Sequence, residues 1–349
     1  MEYRVLGGTG IRVSTHSLGT MMFGAWGNTD VDGCIRVVHA AIDGGINLVD
    51  TADVYSNGES ETIVGAALKG RRDDVVLATK FHNPMGPGPN EQGNSRLWIR
   101  RAVEASLRRL GTDHIDLYQV HRPEEETEIE ETLSALTDLQ RAGMIGAFGC
   151  STFHGWQIVQ AQWAAERRGL ERFRTEQPPY SILARHAEDD VLPVAQAYRM
   201  GVLVWAPLGR GWLTGRYRRE DFDLSSDSRA SRSRERGGPV AAQFDLERHE
   251  IQSKLDIVER LVPIAEEAGI SMAHMAVAFV LAHPGVTSAI VGPRTPAQIE
   301  DLIAGAEVRL DAATLDAIDA VVPPGTTIDQ GDRGFSPWWL EASRRRRSS

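Results

Sequence analysis

The chain has 349 residues, of which 42% are hydrophobic and 25% charged, an ordinary balance for a globular protein. A formal net charge of −10, with acids and bases interleaved, gives no electrostatic case for a nucleic-acid partner. No apolar run approaches the roughly 20 residues that span a bilayer, and Met1-Glu2-Tyr3-Arg4 lacks the layout of a secretion signal. A cytoplasmic protein without membrane partners is therefore expected. Cys34 and Cys150 have no metal-type spacing and read as reduced, semi-buried thiols, so neither a disulfide nor a metal site is expected.

The first elements suggest a hairpin, with Tyr3-Arg4-Val5-Leu6 and Ile11-Arg12-Val13 flanking the turn-forming Gly7-Gly8-Thr9-Gly10. Short apolar runs then recur at 15–20, 46–50, 75–80, 115–121, 145–151, 174–177, 202–207 and 287–292. Helical spacing fills the gaps. Cys34, Val37, Val38, Ala41 and Ile42 lead to Gly44-Gly45, and Ile63, Val64, Ala67 and Leu68 lead to Gly70. Residues 97–110 stop at Gly111, and 132–142 stop at Gly143. A glycine just past the last apolar residue is a helix C-cap signal, and its recurrence predicts a repeated strand-helix unit. Continuous rather than alternating apolar runs fit parallel strands covered on both faces.

Eight such units predict an α/β protein built as one (β/α)8 TIM barrel over 1–349, with an N-terminal β-hairpin. A doubly wound sheet is the alternative, but no Gly-x-Gly-x-x-Gly follows the first strand. Residues 208–250, after the seventh strand, form a long Ser/Arg/Gly-rich insertion. Residues 323–349 form a C-terminal tail without clear periodicity; Phe335, Trp338 and Trp339 suggest that it packs somewhere, and its Arg block 344–347 reads as solvated.

Catalytic groups of such barrels sit where strands end. Those positions hold Asp50 with Tyr55 after the second strand, Lys80 after the third and His121 after the fourth. Each alone has a structural explanation, as a turn cap, a snorkelling lysine or a satisfied loop histidine. Together they suit one reaction. A lysine cation against a tyrosine hydroxyl lowers a pKa that is ordinarily about 10. An aspartate orients the lysine, and a histidine holds a substrate oxygen. Such a set protonates a carbonyl as a hydride arrives.

The segments Gly45-Ile46-Asn47-Leu48-Val49-Asp50-Thr51-Ala52-Asp53-Val54-Tyr55, Lys80 and Asp116-Leu117-Tyr118-Gln119-Val120-His121 resemble the aldo-keto reductases, over nearly the whole chain. The likeness is to the branch of potassium-channel β subunits and bacterial aryl-alcohol, sugar and macrolide reductases. It implies Asp50, Tyr55, Lys80 and His121 as a catalytic tetrad, with Tyr55 as general acid, and NADPH/NADP+ bound without a Rossmann fold.

The resemblance further implies a set of nucleotide contacts. Gly19-Thr20-Met21 with Asp50 would lie beneath the nicotinamide ribose. Ser151, Thr152 and Gln177 would hold the carboxamide, and Trp205 would stack on the ring. Pro207-Leu208-Gly209-Arg210-Gly211 would follow the pyrophosphate, closed over by Ser228-Arg229. Gly292, Arg294, Gln298 and Asp301 would meet the adenosine end, with Arg294 on the 2′-phosphate. Relatives carry asparagine where this chain has Thr152 and Leu302. Phe23, Trp26, Phe81 and His82, with Trp338 or Trp339 from the tail, are candidates for a pocket taking a small-molecule carbonyl such as a sugar, an aryl aldehyde or a polyketide. A homo-oligomer stays open. So do a non-catalytic nucleotide-sensing partner subunit and a Schiff-base lyase acting through Lys80.

Overall fold

The computed structural model describes residues 1–222 and 228–346. Strands β1 (Tyr3–Val5) and β2 (Arg12–Ser14) pair antiparallel. The next eight are β3 (His16–Gly19), β4 (Leu48–Asp50), β5 (Val76–Phe81), β6 (Ile115–Val120), β7 (Ile145–Ser151), β8 (Thr175–Gln177), β9 (Gly201–Val204) and β10 (Ser288–Val291). They pair in parallel, each with the next, and β10 returns to β3, closing the barrel. The (β/α)8 architecture expected from the sequence is the one observed.

Helices α1 (Val31–Asp43), α2 (Glu59–Ala67), α3 (Arg96–Leu110), α4 (Ile129–Arg141), α5 (Gly155–Arg168) and α6 (Val191–Ala197) follow β3 to β8 in turn. Their ends are fixed locally. Asp30 and Ser95 accept hydrogen bonds from the first turns of α1 and α3, and Gly111 ends α3 at φ 64°, where a side chain is disfavoured.

The alternation of the strands separates two cores. Leu48, Ala78, Leu117, Ala147, Leu203 and Ile290 point inward and meet Leu6 and Val13 of the hairpin, which plugs the barrel's N-terminal end. Val49, Leu77 and Tyr118 point outward into the helix layer. Because the strand period is two, Asp50, Lys80 and Gln119 share the inward face with Leu48, Ala78 and Leu117. They form a buried polar layer directly above the apolar one, and Lys80 is in register with Gln119. Cys34 and Cys150 are free, buried thiols.

After β9 come α7 (Arg229–Arg236), α8 (Gly238–Ala241), α9 (His249–Glu267) and α10 (Met272–Ala282); α11 (Pro296–Ala304) and α12 (Ala312–Val321) follow β10, and α13 (Ala342–Arg345) lies in the tail. Trp212, Tyr217 and Phe244 are buried and, with Phe222, form one aromatic cluster in which Trp212 stacks on Phe244 at 5.6 Å. Among the described residues, no single helix is long and apolar enough to cross a membrane.

Candidate active site

Four side chains meet at the C-terminal mouth of the barrel. Lys80 Nζ donates to Asp50 Oδ2 at 2.5 Å, to the Thr51 carbonyl at 2.7 Å and to the Tyr55 hydroxyl oxygen at 3.3 Å. The other carboxylate oxygen of Asp50 accepts from Gln177 Nε2 at 2.9 Å and Gln119 Nε2 at 3.3 Å. A buried pair of this kind persists only when its remaining donors and acceptors are met, and the two glutamines meet them. Tyr55 opens a turn in which Ser56 and Asn57 have φ of 48° and 56°. Ser56 Oγ pins that turn by donating to the Phe23 carbonyl at 2.8 Å.

Because Lys80 donates to the Tyr55 oxygen, the tyrosine proton is left for an acceptor in the cavity. The sequence expectation was a depressed tyrosine pKa, and the structure corrects it. Burial, the largest influence, raises the Tyr55 pKa; Lys80 pulls it back only in part. Tyr55 therefore holds its proton at neutral pH. Burial also opposes the charge on Lys80, but Asp50 and Tyr55 outweigh it and the ammonium is held above its ordinary value.

His121 is buried, and burial followed by the charges of Arg122 and Lys80 drives its pKa well below the ordinary value. It is a neutral imidazole. The amide nitrogen of Asn83 lies 3.0 Å from Nδ1, so Nδ1 accepts and Nε2 carries the proton. Its ring meets that of Tyr55 edge-on at 5.8 Å.

These groups open into a cavity of about 680 Å³. Gly19, Thr20, Met21, Asp50, Ser151, Gln177, Trp205, Pro207, Leu208, Arg210 and Gly211 line it, as do Gly292, Arg294, Gln298 and Asp301 at its far end. Lys80 sits behind Asp50 and Tyr55, outside the lining. Ser151 donates to the Gln177 backbone carbonyl at 2.8 Å, and the Gln177 side-chain amide donates through Nε2 to Asp50 Oδ1 at 2.9 Å and Gln119 Oε1 at 3.3 Å. Thr152 lies just behind the wall, accepting from Arg122 Nη1 at 3.3 Å and donating to the Ser151 carbonyl at 2.6 Å. Gly209 is buried beneath its loop. Ser228 caps α7 through the Ser231 N–H, while the Arg229 side chain lies outside the described residues.

Of the four substrate candidates, only Trp26 lines the cavity. Phe23 and Phe81 are fully buried in the core, Phe81 stacked on Tyr118 at 4.8 Å. His82 turns away at φ 139° to meet Asn94 Oδ1 at 3.0 Å. Trp338 and Trp339 pack with Phe335, and Trp339 also meets Trp156 of α5 and His154, which caps that helix, so neither tryptophan enters the pocket. The tail reaches the site through Gly334 instead, where a Cβ would come within 2.8 Å of the Trp205 ring. Sequence reasoning missed Gln119, Asn83, Arg122, Arg216 and Arg232. Only Gln119 left a signal, a lone amide among the apolar residues Leu117, Tyr118 and Val120 of β6.

Five arginines line this cavity (Arg122, Arg210, Arg216, Arg232 and Arg294) against two acids, Asp50 and Asp301. In a protein of net charge −10, that concentration suits a ligand with several negative charges. Two further features leave room for one. A Cβ at Gly292 would meet nothing closer than the Gly19 carbonyl at 3.9 Å and one at Gly211 nothing closer than the Tyr217 ring at 3.5 Å, and Trp205 Nε1 has no hydrogen-bond partner among the described residues.

The family model for the aldo/keto reductase family matches residues 17–323. The chain is 40% identical to an uncharacterized oxidoreductase, YrpG, of Bacillus subtilis, over 93% of this chain and 97% of that one. It is 37% identical to the aldo-keto reductase YhdN of the same species, over 86% and 88%. A probable voltage-gated potassium channel subunit beta of Arabidopsis thaliana is 36% identical, over 92% and 97%. With the barrel and the assembled mouth already described, these matches place the chain in the aldo/keto reductase family, whose members are oxidoreductases that use NAD(P)H.

Proposed function

We propose that this protein reduces the carbonyl of an aldehyde or ketone with NADPH, and that Tyr55 is the general acid. The observation that carries this reading is the chain Asp50–Lys80–Tyr55, whose phenol proton faces a cavity rich in arginine. When bound, NADPH supplies the hydride. His121 donates from Nε2 to the carbonyl oxygen and fixes its direction. Tyr55 gives that oxygen its proton, and Lys80, kept charged by Asp50, stabilises the phenolate left behind. Positioned acid catalysis of this kind contributes typically about 10²–10⁴-fold in rate. Lys80 is fully buried and held protonated, which opposes nucleophilic attack and disfavours the lyase alternative.

Arg294 supports NADPH over NADH. It lines the far end of the cavity beside the N-terminus of α11, and its guanidinium meets no acid among the described residues. The experiment follows NADPH oxidation with a panel of aldehydes and ketones and compares nucleotide affinities in Arg294→Ala. A charge-assisted contact is worth about 1.5–3 kcal/mol, so NADPH binding should weaken roughly tenfold to a hundredfold while NADH binding stays close to the parent's. Equal weakening of both removes the role of Arg294. Failure to oxidise NADPH with any carbonyl removes the reductase reading.

A further inference from the structure

Arg122 directly follows His121 and lines the catalytic end of the cavity, whereas Arg210, Arg216, Arg232 and Arg294 come from the loops and helix that follow β9 and β10. Its Nη1 donates to the His121 carbonyl at 2.8 Å and to Thr152 Oγ1 at 3.3 Å, which fixes the plane of the guanidinium. Its remaining N–H groups make no hydrogen bond to any described residue, and no described carboxylate pairs with it. Burial works against its charge, the neighbouring Arg210 adds to that, and the buried Glu176 offers little relief because burial raises its own pKa to about 8. A half-buried, oriented guanidinium without a counter-ion is an expensive feature unless a ligand supplies the anion. The planar fork of arginine matches a carboxylate or phosphate in particular.

We propose that Arg122 anchors the substrate, and that the substrate is a carbonyl compound bearing a carboxylate or phosphate group, held by Arg122 while its carbonyl oxygen meets Tyr55 and His121. This rests on the reductase reading and adds a substrate class to it. The anchor takes no part in bond making; it selects and orients.

The test measures kcat/KM within two matched pairs: 4-carboxybenzaldehyde against its methyl ester, and 4-formylphenyl phosphate against 4-methoxybenzaldehyde. Parent, Arg122→Gln and Arg122→Lys are compared, with NADPH titration alongside. The parent should favour the charged member of at least one pair by roughly tenfold or more, and the pair that shows it distinguishes carboxylate from phosphate. Arg122→Gln should bring that ratio near one, and Arg122→Lys should keep part of it. A merely structural role lowers both members together and leaves the ratio alone. No preference in the parent, or a ratio unchanged in Arg122→Gln, overturns the anchor while leaving the reduction of uncharged aldehydes to support the reductase reading. A parent that reduces none of the four overturns both. Weaker NADPH binding with an unchanged ratio assigns Arg122 to the nucleotide and overturns the anchor as well.

Discussion

Tyr55 and Lys80 lie 3.3 Å apart and serve one proton transfer, yet they differ in what the fold loses without them. Tyr55→Phe removes a hydroxyl and keeps the ring against Trp26 and His121. Carbonyl reduction should fall about 10²–10⁴-fold, with thermal stability and NADPH affinity near the parent's. Lys80→Met should lose activity similarly, but it also strips Asp50 of its cation and leaves a buried carboxylate with only Gln119 and Gln177. An orphaned buried charge costs about 3–5 kcal/mol, so this variant should also melt at a distinctly lower temperature. The two activity losses should not add in the double mutant. A parent-like turnover in Tyr55→Phe would sink the assignment of the acid. The pH dependence follows from the same groups. The reactive form in reduction is the protonated phenol, and burial raises the Tyr55 pKa above 10.0, so activity is lost only as pH rises past that ordinary value. His121 is neutral well below 6.5 already and adds no limb near neutrality. Single-turnover reduction should be flat between about pH 6 and 9. A limb inside that window that disappears in Tyr55→Phe would show a depressed phenol instead.

The loops after the strands carry the backbone strain, and they carry the site. His82 after β5, Thr152 after β7, and Ala206 and Arg210 after β9 all have positive φ, of 139°, 60°, 55° and 60°. Thr152 is the most strained type among them, because a β-branched side chain in the left-handed region costs about 1–2 kcal/mol while asparagine tolerates it. Thr152→Asn should therefore raise stability by about 0.5–1 kcal/mol, read as a modest gain in melting temperature. A loss would mean that the hydroxyl's bonds to Ser151 and Arg122 outweigh the strain. These loops also mark where the sequence stopped being legible. The barrel could be read because strand runs and C-cap glycines are local signals, and the tetrad because its residues sit at strand ends. Phe23 and His82 were misplaced because a loop position does not say which face a side chain takes, and Phe81 because it is the last residue of β5 and packs in the outer core rather than opening into the loop. Asn83 and Arg122 were invisible because their roles depend on partners far along the chain. The aromatic core of the insertion was not legible because Trp212, Tyr217, Phe222 and Phe244 are scattered among its arginines and serines with no local period, yet those four rings gather into one cluster.

One ion network ties the insertion, the tail and the cavity together. Lys254 of α9 is buried above the Trp212 ring at 5.9 Å, with Asp332 at 2.6 Å and Asp329 at 3.4 Å. Arg248 meets Asp329 at 3.3 Å, and Asp332 reaches Arg210 of the cavity wall at 3.5 Å, whose guanidinium lies 5.3 Å from the Trp205 ring centroid. Two residues beyond Asp332, Gly334 packs against Trp205. The tail is thus held at the site by buried carboxylates rather than by apolar area, and Lys254 is the cation both carboxylates share. Lys254→Met keeps the length of the stem over Trp212 but withdraws that charge. Arg248 and Arg210 still answer one carboxylate each, so the penalty should be below that of a fully orphaned charge, about 1–3 kcal/mol. At roughly 2–4 °C per kcal/mol for a large domain, the melting temperature should drop by several degrees. Cleavage by trypsin at Arg333 should quicken, because the segment 329–334 loses its principal anchor, while cleavage of the hairpin at Arg4 and Arg12 should keep the parent's rate. If both the melting temperature and the Arg333 cleavage rate match the parent, the tail is secured by its aromatic contacts with α5, and the network is incidental to the cavity wall.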